Sequence, residues 1–301
     1  MHTPVIATDS DQGPRRHQED AYAHQVADAS GGWRASLADG FGDHPRTRDA
    51  AALAAITAIE SGGEALDAVL AATRAISRTH PGADCVMVHA RQDAPDDLID
   101  IAWVGDCRLW TWSSGEGLRR HTRDHTFGQR LRDRWVADDL AQAGDHALTT
   151  SVATAVLGDI GTASAPPAEL VLFTTDGVHD YVDERLLAEL VVEHAYCPDV
   201  LAHVLVDAAR EAESGDNATA MVIRPPLAES PYLSRQELLL DGLEHDDVFG
   251  EDQPALLRLA EDRAVGIACD RYLSRDGATY WCTKDSDHTD HHVSWHGVTW
   301  A

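Results

Sequence analysis

Short apolar stretches with alternating polar positions recur along the first 224 residues of the chain. Such alternation, together with β-branched residues, predicts strands because successive side chains of a strand point to opposite faces of a sheet. The predicted strands span residues 4–9, 33–39, 85–91, 98–106, 108–112, 169–176 and 218–224.

Segments with apolar residues at helical spacing lie between these strands. Residues 45–60 and 64–79 predict two consecutive helices separated by Gly62 and Gly63, and residues 185–195 and 199–213 predict two more, separated at Pro198. Because strands follow one another between helix pairs without regular strand-helix alternation, the order predicts an α+β fold of antiparallel sheets covered by helical layers.

The pattern ends at Pro225 and Pro226, which predicts a main domain at 1–224 and a C-terminal extension of unknown role at 225–301. Residues 255–262 form one amphipathic stretch, and RYLSRDGATYWC predicts a β-hairpin around Asp276 and Gly277. The histidines of DHTDHHVSWHGVTW leave two interpretations open, a transition-metal tract or an irregular segment whose tryptophans dock on the main domain. These histidines are His288, His291, His292 and His296.

The formal net charge of −27 bears on possible partners. An anionic membrane or a nucleic acid would be repelled, so neither is expected as a partner. No apolar run reaches the roughly 18 residues that span a bilayer, and the N-terminus lacks the pattern of a secretory signal, which predicts a soluble, cytoplasmic protein. The five cysteines are widely spaced without a C-x-x-C pair, so neither a disulfide framework nor a zinc knuckle is expected.

Acidic residues recur where apolar strands run into turns or loops. Strand ends place side chains at one rim of a sheet, where clustered carboxylates repel one another unless cations bridge them. A set of ligands made of oxygen atoms alone favours Mg²⁺ or Mn²⁺ over zinc. A nearby arginine could then bind phosphoryl oxygens through two hydrogen bonds. The residues concerned are Glu19, Asp20, Asp39, Asp106, Asp176 and Asp216, with Arg15 as the arginine. An ordinary Asp-Gly turn remains an alternative explanation for part of this pattern.

Six short motifs carry a resemblance to a known family. RRHQED, LADGFG, VGDCRLW, RDHT, FTTDGVHD and GDNATAMV resemble, in order and spacing, the motifs of metal-dependent serine/threonine protein phosphatases of type 2C (PPM family), especially bacterial ones. Each motif alone is weak, but six in the right order are specific. The resemblance covers residues 4–224 and implies a four-layer α-β-β-α sandwich with two central antiparallel sheets.

The resemblance also implies the roles of individual residues. Asp39 would bridge two divalent metal ions, Asp176 and Asp216 would complete one site, and Glu19 with the carbonyl of Gly40 would serve the other. Asp20 would be a metal ligand or would accept a hydrogen bond from metal-bound water, and Asp106 would contribute with Asp176 to a third, weaker site. Arg15 falls where the family keeps its phosphate-binding arginine, whereas Arg16 has no such counterpart.

The chain departs from the family pattern in three places. Phe41 stands where some members carry a histidine proposed to protonate the leaving group, and Asp43 replaces a usual glycine. His44 follows, and we interpret it as a surface residue next to Pro45. Residues 127–168, where the family has a substrate-selecting flap, match the family poorly, so the substrate is harder to predict than the chemistry.

The implied activity is hydrolysis of phosphoserine and phosphothreonine monoesters by water bridging two metal ions, with no covalent phosphoenzyme. The implied partner is a phosphorylated protein in signal transduction, and a monomer is expected. Two alternatives remain open at this point: a catalytically weak pseudophosphatase that binds a phosphoprotein, and a phosphatase of a small phosphorylated metabolite.

Overall fold

The computed structural model describes residues 3–27, 30–42 and 44–226, together with four short strands between residues 272 and 300. The chain divides into two compact units, Met1–Glu229 and Ser230–Ala301. The boundary predicted at residue 224 falls beside this division.

Strands and helices follow one another in an irregular order in the first unit. The strands are β1 (Val5–Asp11), β2 (Asp20–Val26), β3 (Trp33–Gly40), β4 (Cys85–Gln92), β5 (Ile99–Val104), β6 (Arg108–Ser113), β7 (Gly117–Arg120), β8 (Gly161–Ala165), β9 (Leu170–Thr174) and β10 (Ala218–Arg224). The α-helices are α1 (Pro45–Glu60), α2 (Ala65–Thr79), α3 (Phe127–Arg132), α4 (Asp138–Ala141), α5 (Asp176–His179), α6 (Glu184–His194) and α7 (Pro198–Glu211).

Two antiparallel five-stranded sheets pack face to face. Sheet A has the strand order β1-β10-β9-β6-β7, and sheet B has the order β2-β3-β4-β5-β8. Between them lies a core of fully buried side chains that includes Leu37 and Val88 from sheet B and Phe173 from sheet A. Because β9 is buried along its whole length, its sequence LVLFT is a continuous apolar run instead of an alternating one.

Helix pairs cover the outer faces of both sheets. Helices α1 and α2 pack on sheet B, and helices α6 and α7 pack on sheet A. Buried alanines of α1, including Ala50, Ala54 and Ala58, let that helix pack closely against its neighbours. Pro45 and Pro198 open α1 and α7, where the missing N–H of proline costs no helical hydrogen bond. The predicted α+β sandwich of four α-β-β-α layers is confirmed.

Every strand and helix predicted for the first unit is present, but three strands were not predicted. These are β2, β7 and β8, and all three lie at a sheet edge. Edge strands bury few apolar side chains, so their alternation is weak, as in the sequence DAYAHQV of β2. Asp20 is therefore the first residue of a strand, and the interpretation that it follows the first strand in a loop was wrong in this detail.

The close approach of α5 to the loop before β10 explains the glycine after Asp176. A Cβ atom added at Gly177 would lie 1.9 Å from the main-chain oxygen of Asn217. We therefore expect Gly177→Ala to lower the free energy of unfolding by about 3 kcal/mol, since the backbone must move to relieve the overlap. Urea denaturation tests this expectation. Gly115→Ala is the control, because no atom lies within 4 Å of its added Cβ, and equal stability of the two variants would contradict the argument.

The described strands of the second unit form two antiparallel pairs. Strand β11 (Tyr272–Arg275) pairs with β12 (Ala278–Trp281), and β13 (His292–Val293) pairs with β14 (Thr299–Trp300). The first pair confirms the predicted hairpin. The amphipathic stretch 255–262 and His288, His291 and His296 lie outside the described residues. In the described part of the chain, no helix has the length and apolar character needed to cross a bilayer.

Candidate metal centre

A cavity of about 360 Å³ opens at the rim where both sheets and their connecting loops meet. Its lining includes most of the residues singled out from the sequence: Arg15, Asp39, Gly40, Asp106, Asp176 and Asp216. Glu19 and Asp20 are buried but are not part of this lining. The fold therefore brings together acidic residues that are far apart in the chain.

Asp20 and Asp39 occupy opposite positions on neighbouring strands. They are partners in the antiparallel register of β2 and β3. One oxygen of Asp20, Oδ2, accepts hydrogen bonds from Thr219 Oγ1 at 2.7 Å and Thr175 Oγ1 at 3.0 Å. Both threonines belong to the sheet A side, so Asp20 links the two sheets at the rim. Its other oxygen, Oδ1, is buried without a hydrogen-bond partner.

Asp176 and Asp106 reach the cavity from two other connections. Asp176 is the first residue of α5, directly after β9 and Thr175, and its Oδ1 is also buried without a hydrogen-bond partner. Asp106 lies in the turn between β5 and β6, next to Gly105. Each carboxylate is thus fixed by the end of a strand, as the sequence pattern predicts.

Arg15 and Asp216 form an ion pair across two loops at the cavity. The Nε atom of Arg15 also donates to the carbonyl oxygen of Gly215 at 3.1 Å. Oδ1 of Asp216 accepts the N–H of Asn217 at 2.8 Å. These contacts hold the guanidinium beside a carboxylate, while a side-chain exposure of 36% leaves it accessible to a ligand. Arg16 is exposed.

Asn217 is an organising residue that the sequence analysis did not identify. Its Oδ1 accepts the N–H of Glu19 at 2.8 Å, and its Nδ2 donates to the carbonyl oxygens of Gln12 at 2.7 Å and His17 at 3.0 Å. It therefore ties the RRHQED segment to the GDNAT loop. Its position directly after Asp216 in GDNAT was the available signal, but an asparagine in a loop is usually a turn residue.

Glu19 is directed toward the start of α1. Its Oε1 accepts the N–H of His44 at 2.8 Å and the hydroxyl of Thr47. A Cβ added at Gly40 would lie 2.8 Å from the carbonyl oxygen of Thr47, so only glycine fits between β3 and this helix start. His44 caps α1 by accepting the N–H of Arg46 at 3.1 Å, which agrees with its interpretation as a surface residue. Asp43 lies outside the described residues.

Burial and mutual repulsion raise the pKa values of four of these carboxyl groups. Burial raises the pKa of Asp20 from 3.8 to about 7, with a contribution from Asp176, and that of Asp176 to about 6, with a contribution from Asp216. Burial holds the pKa of Asp39 well above 3.8, and Asp20 and Asp176 add to this effect. Burial and Asp176 do the same to the pKa of Asp106. Four acids crowded together, one buried and three partly buried, are costly to ionise together unless a cation compensates them.

The donor set fits a hard divalent cation. All the clustered side chains offer carboxylate oxygens, and buried Oδ1 atoms of Asp20 and Asp176 have no other partner. The side chains approach the cavity without forming a ready coordination shell, since no group of three His, Cys, Asp or Glu residues among those described is arranged to hold a metal ion. The fit therefore rests on the chemistry and burial of the donors.

The raised pKa values predict a pH-dependent stability of the chain in a chelator. Above about pH 4 the unfolded chain loses the protons of Asp20 and Asp176, whereas the folded chain keeps them up to its own pKa values, about 7 for Asp20 and about 6 for Asp176. The free energy of unfolding should therefore fall as the pH rises through this window, by at most about 1.4 kcal/mol per pH unit for each group. Urea denaturation in EDTA at pH 4.5–8 measures the slope. Asp20→Asn should make it shallower, and identical slopes would contradict this explanation.

Solved structures of bacterial phosphatases have the same fold. The Mycobacterium tuberculosis serine/threonine phosphatase PstP/Ppp matches with a TM-score of 0.63 and 23% identity over 74% of this chain and 99% of that chain. The PPM Ser-Thr phosphatase MsPP from Mycobacterium smegmatis, in complex with cacodylate, matches with a TM-score of 0.60 and 24% identity. The match covers 74% of this chain and 98% of that chain. A structure of the catalytic domain of PstP with two manganese ions matches with a TM-score of 0.60 and 23% identity over 73% and 97%.

Sequence comparison alone does not detect this relationship. No family model matches the chain, and no curated protein matches it. At the identities observed, the likeness establishes a shared fold, that of bacterial PPM-type serine/threonine phosphatases. The resemblance read from the six motifs is confirmed at this level.

Proposed function

We propose that this chain, which has the fold of PPM-type phosphatases, is a divalent-metal-dependent phosphatase that hydrolyses phosphoserine and phosphothreonine in proteins. The observation that carries the proposal is the convergence of Asp39, Asp106, Asp176 and Asp216 with Arg15 on one cavity. Buried acids with unsatisfied oxygens are unfavourable for folding, and their assembly beside an accessible guanidinium suits a site for a metal ion and a phosphoryl group.

The residues proposed to hold the metal ions are those that the resemblance to the phosphatase family implies. Asp39, Asp176 and Asp216 are proposed as ligands of one ion, and Asp39, Glu19 and the carbonyl of Gly40 as ligands of a second. Asp20, the register partner of Asp39, is proposed as a further ligand or as a hydrogen-bond acceptor beside the two metal ions. Asp106 is proposed to contribute with Asp176 to a third, weaker site. The complex of PstP with two manganese ions supports a pair of Mn²⁺ or Mg²⁺ ions here.

When bound, such ions would supply Lewis-acid stabilisation of phosphoryl charge and an activated water nucleophile at neutral pH. The chain's own contribution is to bind and orient the phosphoryl group. The guanidinium of Arg15 can donate two parallel hydrogen bonds to phosphoryl oxygens, and its bonds to Gly215 and Asp216 fix its direction. Charge developing on these oxygens in the transition state is then neutralised by a group already in place.

A turnover assay with controlled metal tests the proposal. The purified full chain is incubated with phosphoserine and phosphothreonine peptides in EDTA, and then with Mn²⁺ or Mg²⁺ in excess. We expect hydrolysis only with the added metal. A parallel panel of small phosphorylated metabolites measures the alternative substrate class.

Each other outcome has a distinct meaning. Metal binding without turnover would favour a phosphoprotein-binding module, and faster turnover of a metabolite than of every peptide would favour a metabolic phosphatase. Hydrolysis that continues at the same rate in EDTA would contradict metal dependence.

A further inference from the structure

His146 lines the cavity together with the clustered carboxylates, and the roles assigned above do not include it. It belongs to the segment 127–168, the part of the first unit whose sequence matches the phosphatase family poorly. Phe41, which follows Asp39 and Gly40, lines the same cavity and has no proton to donate. His146 is the one histidine of the described residues that lines this cavity.

The backbone around His146 is connected by hydrogen bonds to the turn that carries Asp106. Ala147 accepts the N–H of Phe127 at 2.8 Å, and the N–H of Thr149 bonds to the carbonyl oxygen of His125 at 2.7 Å. His125 in turn donates its N–H to Gly105 at 2.9 Å, directly before Asp106. The last two of these hydrogen bonds connect the segment that carries His146 to the turn that carries Asp106, and the first lies within that segment.

The side chain of His146 lies close to a carboxylate of the same cavity. Its Nδ1 lies 3.5 Å from Oδ2 of Asp180, which lines the cavity as well. Arg108 also approaches Asp180, at 4.0 Å, and is otherwise paired with Asp124. The imidazole is 80% exposed, so this pair adds little to folding stability. The arrangement leaves Nε2 as the ring nitrogen that can reach a ligand.

The proposed reaction has a need that the residues assigned so far do not meet. A serine or threonine alkoxide is a poor leaving group, and a proton donor at its oxygen typically accelerates such a step by about 10²–10⁴-fold. Among the other lining residues, Arg15 is held by Asp216. The hydroxyl of Tyr181 accepts the N–H of Gly215 at 3.1 Å and keeps its own proton, but a phenol is in general a weaker acid than an imidazolium. His146 is the exposed group with a proton-bearing ring nitrogen at this cavity.

We propose that His146, which lies close to Asp180, donates the proton to the serine or threonine oxygen that leaves phosphorus. This inference rests on the proposed function. Water forms the new bond to phosphorus while the bond between phosphorus and the side-chain oxygen breaks. The electron pair of that bond goes to the leaving oxygen, which takes the proton from imidazolium Nε2. The products are the free alcohol and hydrogen phosphate. The attacking water releases one proton to solvent, and solvent returns one proton to the imidazole.

Substrates with different leaving groups test this role. His146→Gln should lower kcat for a phosphothreonine peptide by about 10²-fold. It should change kcat for p-nitrophenyl phosphate less than about 3-fold, because p-nitrophenolate leaves without a proton. A residue that only shaped the cavity would affect both substrates alike. Thermal melting of both proteins checks that folding is unchanged, as expected for an exposed side chain.

His203→Gln is the matched control. His203 is an exposed histidine that pairs with Asp9 at 2.8 Å and does not line the cavity, so neither substrate should respond. Equal losses on both substrates, no loss on the peptide, or the substrate-selective loss in Tyr181→Phe instead would overturn the assignment of His146. Wild-type chain that hydrolyses neither substrate with metal present would overturn the proposed function itself, and the assignment with it.

Discussion

Replacing Asp39 by Asn is expected to abolish phosphatase activity and at the same time to stabilise the metal-free chain. Asp39 is proposed to hold both metal ions, so its loss should lower kcat by on the order of 10³-fold or more, equivalent to several kcal/mol of lost transition-state stabilisation. The substitution is nearly isosteric, which separates the loss of charge from the loss of packing.

The gain in stability follows from the electrostatics of the cavity. Burial and the carboxylates of Asp20, Asp176, Asp106 and Asp216 all oppose ionisation of Asp39. An amide at this position carries no charge and can donate a hydrogen bond to Asp176, which interacts with the Asp39 side chain. In EDTA at pH 7.5 we expect the free energy of unfolding to rise by about 1–2 kcal/mol.

Turnover of p-nitrophenyl phosphate with Mn²⁺ and urea denaturation in EDTA measure the two effects. Asp97→Asn removes an exposed carboxylate away from the cavity and should change neither. A variant at Asp39 with near wild-type turnover would defeat the proposed ligand role. A variant less stable than wild type in EDTA would show that the carboxylate supports the fold through contacts other than metal binding.

Replacing Arg15 by Ala is expected to weaken substrate binding more than turnover. The guanidinium is proposed to bind the phosphoryl group in both the ground state and the transition state, so KM for a phosphopeptide should rise about 10-fold or more, with a smaller fall in kcat. Arg15→Lys keeps the charge but loses the two-pronged geometry, so its KM should fall between those of wild type and Arg15→Ala.

The adjacent arginine provides the comparison for this experiment. Arg16→Ala removes the same charge one residue away, and Arg16 is not part of the cavity lining. Its KM should stay within about 2-fold of wild type, as for other exposed substitutions. Steady-state kinetics with the phosphopeptide decide the matter. Equal increases in KM for the two variants would indicate a diffuse electrostatic effect instead of a specific phosphate contact.

The sequence predicted the elements that bury regular apolar faces and missed those that do not. Strands such as β3 and β10, and helices such as α7, carry periodic apolar residues because one face or both must be covered. The missed strands lie at sheet edges, where DAYAHQV and GTASA bury little. Their pairing depends on neighbouring strands that are distant in the sequence, so local periodicity contains little information about them.

The acidic residues of the site could be predicted for a related reason. Asp106, Asp176 and Asp216 stand at junctions between apolar strands and turns, and these junctions converge because the strands share a rim. The orientation of Glu19 depends on Thr47 and His44, and the pairing of His146 with Asp180 joins two distant segments at the cavity. Contacts of this kind arise from the packing of distant segments, and no local pattern signals them.

The central claim is that the clustered carboxylates bind paired divalent ions, and calorimetric titration of the chelator-treated chain with Mn²⁺ tests it most directly. We predict saturable binding of two Mn²⁺ ions per chain in the wild type, and loss of that binding in Asp39→Asn. Absence of saturable binding in the wild type, or the same stoichiometry in both proteins, would contradict the claim.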